Sequence, residues 1–367
     1  MGFRVREEII RLPLLIRVLR QPDLAASLDE ASWGLLMRQA RTANVLGRTL
    51  AAIETCIPSV EWPLRAQQAL VAENHLADHR LCSLHWEAAG LARLLNGVGT
   101  RLVLLKGAAC ALDEHRFARY RHFGDIDILV PRARLDEVER LLNASGWLGT
   151  KLDPYDQLYY RRWMHELPPL QHLHRGTNLD VHHAILPLTA RYKPDSALLF
   201  GGAREARALP LVDVLSPADM FLHAAAHLFC EGEHENALRN LLDLHDLLEV
   251  FFVAESLTVA ELLDRARVLD LTVVLALAAR YLERVFTDRN AVAISGGLRE
   301  NGLLPKRHDF GDWMFDAVFL GFHPSQPIPF LALARVTLYL RAHMLRMPFG
   351  QLAVHLTRKA LKRKKDD

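Results

Sequence analysis

Cysteine is scarce in this chain of 367 residues: Cys56, Cys82, Cys110 and Cys230 are scattered, and no two form a Cys-x-x-Cys pair. That spacing gives neither a disulfide framework nor a zinc ligand set, so the thiols read as reduced and mostly buried. A surplus of charge is also missing, because 45 Lys and Arg against 43 Asp and Glu leave a formal net charge of +2. Near-neutrality makes no global case for a nucleic-acid binder, which needs a basic channel to displace counterions. The longest apolar stretch near the C-terminus, residues 328–340, is too short to span a bilayer and contains Arg335. No internal repeat is visible, and no apolar h-region precedes a small-residue cleavage site near the N-terminus, so a cytoplasmic location is expected.

Half of the chain is hydrophobic and 24% is charged, a globular composition. The length exceeds one typical core and suggests two or three domains. Residues 1–95 read as helical: Leu14, Leu15, Val18 and Leu19 fall at helical spacing, and 66–95 is a long Ala- and Leu-rich stretch. No chemistry is visible there beyond packing. Residues 96–212 read as a mixed α/β unit and 213–367 as a helical region. Ser216-Pro217-Ala218-Asp219 combines a serine cap, a proline in the first turn and an acidic residue three positions on. The periodicity predicts helices over 217–230 and 235–252. Residues 155–172, rich in aromatics, read as strand and loop. The basic run at 359–365 reads as a solvated end, with an anionic partner as the second reading.

The informative segment is Gly124-Asp125-Ile126-Asp127-Ile128-Leu129-Val130. In a strand, successive side chains alternate faces, so Asp125 and Asp127 lie on one side and Ile126, Ile128 and Val130 on the other. Two like charges side by side call for a counter-ion, and carboxylate oxygens suit Mg²⁺ shared with substrate phosphates. Two surface aspartates on an exposed sheet face are the competing explanation. Upstream, Val103-Leu104-Leu105-Lys106-Gly107 reads as a buried strand ending at glycine, followed by Ala108 and Ala109. Small residues there let backbone N–H groups approach an anion. Downstream, Asn178-Leu179-Asp180-Val181-His182 is another alternating strand with a third carboxylate. Asp153 and Asp156 are alternatives to Asp180 in less regular surroundings.

In this order the residues resemble the polymerase-beta-like nucleotidyltransferase superfamily, whose pattern is a glycine and a small residue after a strand, Asp-x-Asp on the next strand, and a later third Asp. The chain looks most like a poorly characterised bacterial branch with Leu-Lys-Gly, an arginine before Asp-Ile-Asp, and a helical C-terminal region. One departure is Gly107-Ala108 in place of Gly-Ser or Gly-Gly, which removes a hydroxyl able to contact phosphate. The resemblance implies an α+β fold, a small mixed sheet flanked by N- and C-terminal helical regions. It also implies transfer of a nucleoside monophosphate, with AMP from ATP first in line, onto a hydroxyl or phosphate of a small molecule or protein. Asp125, Asp127 and Asp180 would hold Mg²⁺ or Mn²⁺ and act in catalysis. Lys106, Gly107, Ala108 and Arg121 would meet the nucleotide, and His227 or Asp243 would face nucleotide or acceptor from a helical lid. Arg121 has a second reading, as one of an exposed loop cluster with Arg116, Arg119 and His122. Lys106 would either pair with phosphates or neutralise the aspartates.

Other classes compete. His223, His227, Asp243, His245 and Asp246 on paired helices resemble the ligands of HD-type phosphohydrolases, although the full series is incomplete. Arg239, one turn before Asp243, favours a helix-surface ion pair instead. A non-catalytic antitoxin-like or scaffold role is the third possibility. His165-Glu166-Leu167-Pro168-Pro169 lacks the second histidine of a metalloprotease helix, and Pro169 stands in its place. His165 and Glu166 either line an acceptor pocket or cap a strand end.

Overall fold

A computed structural model describes residues 12–150, 153–232, 234–303 and 309–347. The N-terminal part contributes helices α1 (Leu14–Arg20), α2 (Glu30–Thr42), α3 (Leu46–Glu54) and α4 (Leu64–Asn96). The sheet follows in strands β1 (Leu102–Leu104), β2 (Asp125–Leu129), β3 (Trp147–Gly149), β4 (Leu170–His172), β5 (Asn178–His182), β6 (Arg204–Glu205) and β7 (Val212–Val214). Between strands lie α5 (Lys106–Leu112), α6 (Leu135–Ala144), α7 (Pro154–Trp163) and α8 (Ser196–Gly202). Helices α9 (Pro217–Cys230), α10 (Ala237–Val253), α11 (Val259–Val268), α12 (Thr272–Phe286), α13 (Arg289–Glu300), α14 (Asp309–Leu320) and α15 (Leu331–Arg346) complete it.

The fold is α+β: one seven-stranded mixed sheet in the order β3-β4-β5-β2-β1-β7-β6, flanked by helices. β2 runs parallel to β5 and antiparallel to β1, while β1 runs parallel to β7. β1 is the hydrophobic run Leu102-Val103-Leu104, buried throughout, as a central strand covered on both faces requires. The 33-residue α4 packs against β1, β7 and α5, so the helix that reads as packing in the sequence forms one wall beside the sheet. α9 starts as expected, with the Ser216 side chain accepting from the Asp219 N–H and proline in the first turn. α6 ends at Ser145, and Gly146 takes a positive φ of 89° that an L side chain rarely adopts.

Two expectations need correction. Residues 154–163 form helix α7 rather than a strand; the segment Pro154-Tyr-Asp-Gln-Leu-Tyr-Tyr-Arg-Arg-Trp163 has no glycine or β-branched residue to resist a helix. Arg161 then ties α7 to Glu139 of α6 through bonds of 2.6 and 2.8 Å. Cys110 and Cys230 are buried, but Cys56 and Cys82 are exposed. The basic run at 359–365 lies outside the described residues.

Asp113, just past α5, is fully buried and holds the outer strand β6 to the centre: its Oδ1 accepts from Arg204 at 2.7 Å, and His115 Nε2 stands 3.0 Å from Oδ2. Burial acts to raise its pKa, but the bonds from His115 and Arg204 outweigh that and bring it from 3.8 down to about 2. A depressed carboxyl pKa contributes stability above the unfolded value, which is lost as pH falls through the folded one. Asp113→Asn is expected to lower stability at pH 7 by roughly 2 kcal/mol. In denaturant titrations it should also lack the part of the wild-type loss that falls between pH 3.8 and about 2.

Candidate active site

The parallel pairing of β2 with β5 sets the site. Its register places Asp127 opposite Asp180 and Asp125 opposite Asn178. Alternation then gathers Asp125 and Asp127 from one strand, and Asp180 and His182 from the next, on one face of the sheet. Ile126 and Ile128 point the other way into the core, 3% and 0% exposed. Asp127 is buried, whereas Asp125 and Asp180 are partly exposed. Asp180 is therefore the carboxylate that the register brings beside Asp127. Asp153 only leads into α7, its carbonyl accepting from the Gln157 N–H.

Lys106 Nζ lies 2.8 Å from Asp127 Oδ1, and His182 Nε2 lies 3.0 Å from the same oxygen. Burial alone would raise the Asp127 pKa, but Lys106 and then His182 overcome it and hold the carboxylate ionised, well below its usual range. Its neighbours go the other way. Asp125 is raised by burial and by the charge of Asp127, and Asp180 is pushed up to about 7 by burial, Glu166 and Asp127. Neither Asp125 nor Asp180 makes a side-chain hydrogen bond or ion pair among the described residues. One lysine thus serves a cluster with two uncompensated carboxylates, and such a donor set fits a hard divalent cation. Asp127, Asp180 and His182 offer ligand atoms within 4.8 Å of one another.

The strand-to-helix turn above these aspartates is arranged around arginine. Lys106 adopts a left-handed backbone, φ 50°, and Gly107 and Ala108 are buried. A Cβ on Gly107 would collide with the guanidinium of Arg121, so the space over this glycine belongs to a cation. Arg121 is not part of an exposed loop; its Nε donates to Asp243 Oδ2 at 2.7 Å, and the other Asp243 oxygen accepts from Arg48 of α3. Arg48 also pairs with Asp246. Burial raises the Asp243 pKa, but Arg121 and Arg48 more than reverse this. Asp243, expected to face nucleotide or acceptor or to form a surface pair with Arg239, is instead the buried anchor of two arginines. The helical spacing was right, but that face of α10 points inward.

His227, on α9, pairs with Glu231 one turn on at 2.9 Å. The proposed HD ligands do not converge among the described residues. His245 bonds Asp288 at 2.6 Å, Asp243 and Asp246 hold Arg48, and none of them joins a group with metal-ligand spacing.

One arginine, Arg80, escaped the sequence reading, and Arg239 has other partners than the expected Asp243. Among the described residues Arg239 has no carboxylate partner and donates to the His122 carbonyl and to Asn240; burial and the nearby Arg121 bring its pKa down to about 10. Arg80 of α4 has a buried Nη1 with no hydrogen-bond partner. It lines a cleft of about 540 Å³ together with Trp86, Phe123, Asp125 and Arg175. Nothing in the local pattern of α4 separates Arg80 from a solvated helix face, because its importance depends on β2, which begins at the same cleft.

An α+β sheet carrying Asp-x-Asp on one strand and a third Asp on its parallel neighbour, with flanking helices, is the architecture of a nucleotidyltransferase. The chain belongs to the family described as uncharacterised nucleotidyltransferase, whose model matches residues 29–287. No curated protein matches it, and no solved structure does.

The packing of Arg121 over Gly107 predicts a specific coupling. Gly107→Ala is expected to destabilise the protein by about 1–3 kcal/mol through overpacking. In an Arg121→Ala background, where the guanidinium is gone, most of that cost should vanish. A double-mutant cycle from chemical denaturation reads the difference.

Proposed function

We propose that this protein is a Mg²⁺-dependent nucleotidyltransferase that moves a nucleoside monophosphate, AMP from ATP in the first instance, onto an acceptor hydroxyl or phosphate of a small molecule or protein. The observation that carries the reading is the set of three carboxylates on adjoining parallel strands, two of them without a side-chain partner among the described residues and one of them, Asp125, lining a cleft. In this reading, residues 96–212 form the transfer centre, and 1–95 and 213–367 wall it.

Asp125, Asp127 and Asp180 would hold the divalent cation. When bound, it supplies neutralisation of charge on the phosphate oxygens and acidifies the attacking hydroxyl. The chain's own residues do the rest. Lys106 and His182 keep Asp127 ionised and fixed in place. Asp180, opposite Asp127 in the register, is also placed to take the proton of the acceptor hydroxyl. Arg80 and Arg239, both without a carboxylate partner among the described residues, compensate the phosphates, and Arg121 stays clamped by Asp243. Trp86 and Phe123 give the cleft flat apolar surfaces against which a base can stack. The volume of the cleft suits a ligand of nucleotide size. The near-neutral net charge favours a small-molecule or protein acceptor over a nucleic acid.

The test is transfer of label from each α-labelled NTP, with Mg²⁺ or Mn²⁺, to a cell extract used as acceptor pool. Label is expected in a protein or small-molecule band, lost in Asp125→Asn and Asp127→Asn. Asp180→Asn should slow transfer by about 10²- to 10⁴-fold while keeping NTP binding. No transfer and no metal-dependent NTP binding would remove the enzyme reading. A second expectation concerns pH: Asp180 must lose its proton to serve as a ligand, so Mn²⁺ affinity should fall as pH drops below about 7. Calorimetric titration at pH 8 and pH 6 measures it, and Asp180→Asn should flatten the dependence.

A further inference from the structure

His165 and Glu166 look like a failed metalloprotease motif in the sequence, and the proposed transfer reaction does not use them. The structure gives them a different setting. Residues 165–167 run antiparallel to the end of β5: Glu166 bridges His182, the Leu167 N–H donates to the Val181 carbonyl at 2.9 Å, and the His183 N–H donates to the His165 carbonyl at 2.8 Å. This pairing turns His165, Glu166 and His182 towards one another, the two imidazole rings 5.2 Å apart.

The three present ligand atoms within 4.8 Å of one another. His182 Nδ1 is 3.4 Å from Glu166 Oε2, and His165 Nε2 is 3.9 Å from the same carboxylate oxygen. Glu231 Oε1 stands 3.8 Å from His165 Nε2. A tetrahedral ion with ligand bonds of about 2.1 Å spaces its donor atoms about 3.4 Å apart, so these separations are those of a site one small contraction from closure. They are too long for hydrogen bonds.

The His182 ring shows the same thing independently. It is 1% exposed, yet its Nδ1 has no hydrogen-bond partner among the described residues. Buried polar atoms rarely stay unpaired, because each lost hydrogen bond costs about 1–3 kcal/mol. His182 already uses Nε2 on Asp127, which leaves the Nδ1 lone pair open to a donor or a cation. A metal-ligating histidine typically has this arrangement, with one ring nitrogen on the ion and the other on a carboxylate that orients the ring. Glu231 is braced in a similar way, its Oε2 held by His227 at 2.9 Å.

We propose that His165 Nε2, Glu166 Oε2 and His182 Nδ1 form a second metal site for a Zn²⁺-class ion, with Glu231 or water as the fourth ligand. Two imidazoles with carboxylates suit a borderline transition metal, whereas the all-oxygen aspartate set suits Mg²⁺. The two sites meet through the His182–Asp127 bond, so an ion here would fix the ring that holds Asp127. The site stands apart from the transfer reading, since it can be tested without any turnover.

The test uses the full-length protein, stripped with a chelator and titrated with Zn²⁺ or Co²⁺ alone. One equivalent of Co²⁺ is expected to give the intense visible bands of a tetrahedral centre. His165→Ala and Glu166→Gln should weaken the binding that produces these bands by at least tenfold, while Asp125→Asn should leave the bands in place. The wild-type spectrum serves as the reading if a variant fails to fold. Three results would overturn the proposal: no binding, the pale spectrum of a six-coordinate oxygen site, or binding abolished by Asp125→Asn and retained in His165→Ala.

Discussion

The alignment of β2 with β5 fixes nearly everything that matters chemically here. Parallel strands in this register put Asp127 and Asp180 opposite each other, and no side-chain adjustment can separate them without moving the sheet. Placing a buried carboxylate at that point is costly unless cations reach it. Lys106 and His182 do so, one from the turn after β1 and the other from two residues beyond Asp180. They satisfy Asp127 and leave Asp125 and Asp180 uncompensated. A cluster with that imbalance is stabilised by whatever further positive charge can enter from solvent.

The arginine network carries the same constraint into the helices. Asp243 sits on α10, Arg48 on α3 and Arg121 in the loop before β2, so three distant parts of the chain meet at one buried carboxylate. Removing one partner from such a group leaves an uncompensated buried charge, which is far more costly than never having placed it there. Gly107 belongs to this network as much as to the turn, because only a residue without a Cβ leaves room for the guanidinium. Helices α3 and α10 are in this way tied to the geometry beside the aspartates, and Arg121 is positioned by a carboxylate that α10 supplies.

Seen together, the two histidines and Glu166 extend the polar face beyond the aspartates towards α9. His182 is the pivot, with one nitrogen on Asp127 and the other towards Glu166. A shift in that ring would alter both the charge balance at the aspartates and the geometry of the neighbouring ligands.

The sequence by itself determined the elements and the faces. Alternation in Asp125-Ile126-Asp127-Ile128 and Asn178-Leu179-Asp180-Val181 declares which side is oily and which is charged, because the strand period is two and local. Ser216-Pro217 marks the start of α9, and Ser145-Gly146 the end of α6, for equally local reasons. The sequence did not determine what each charge would meet. Asp243 looked like the partner of Arg239 at helical spacing, and its true partners come from α3 and the loop before β2. Arg80 looked like one more charge on a long helix, and Glu166 like a strand end. The helix at 154–163 was hidden for a related reason: its aromatics suit strand or helix, and the ion pair to α6 is a long-range contact. Ion pairs, unpaired nitrogens and clefts arise between segments far apart in the chain, so only the tertiary structure, which sets sheet register and helix docking, decided them.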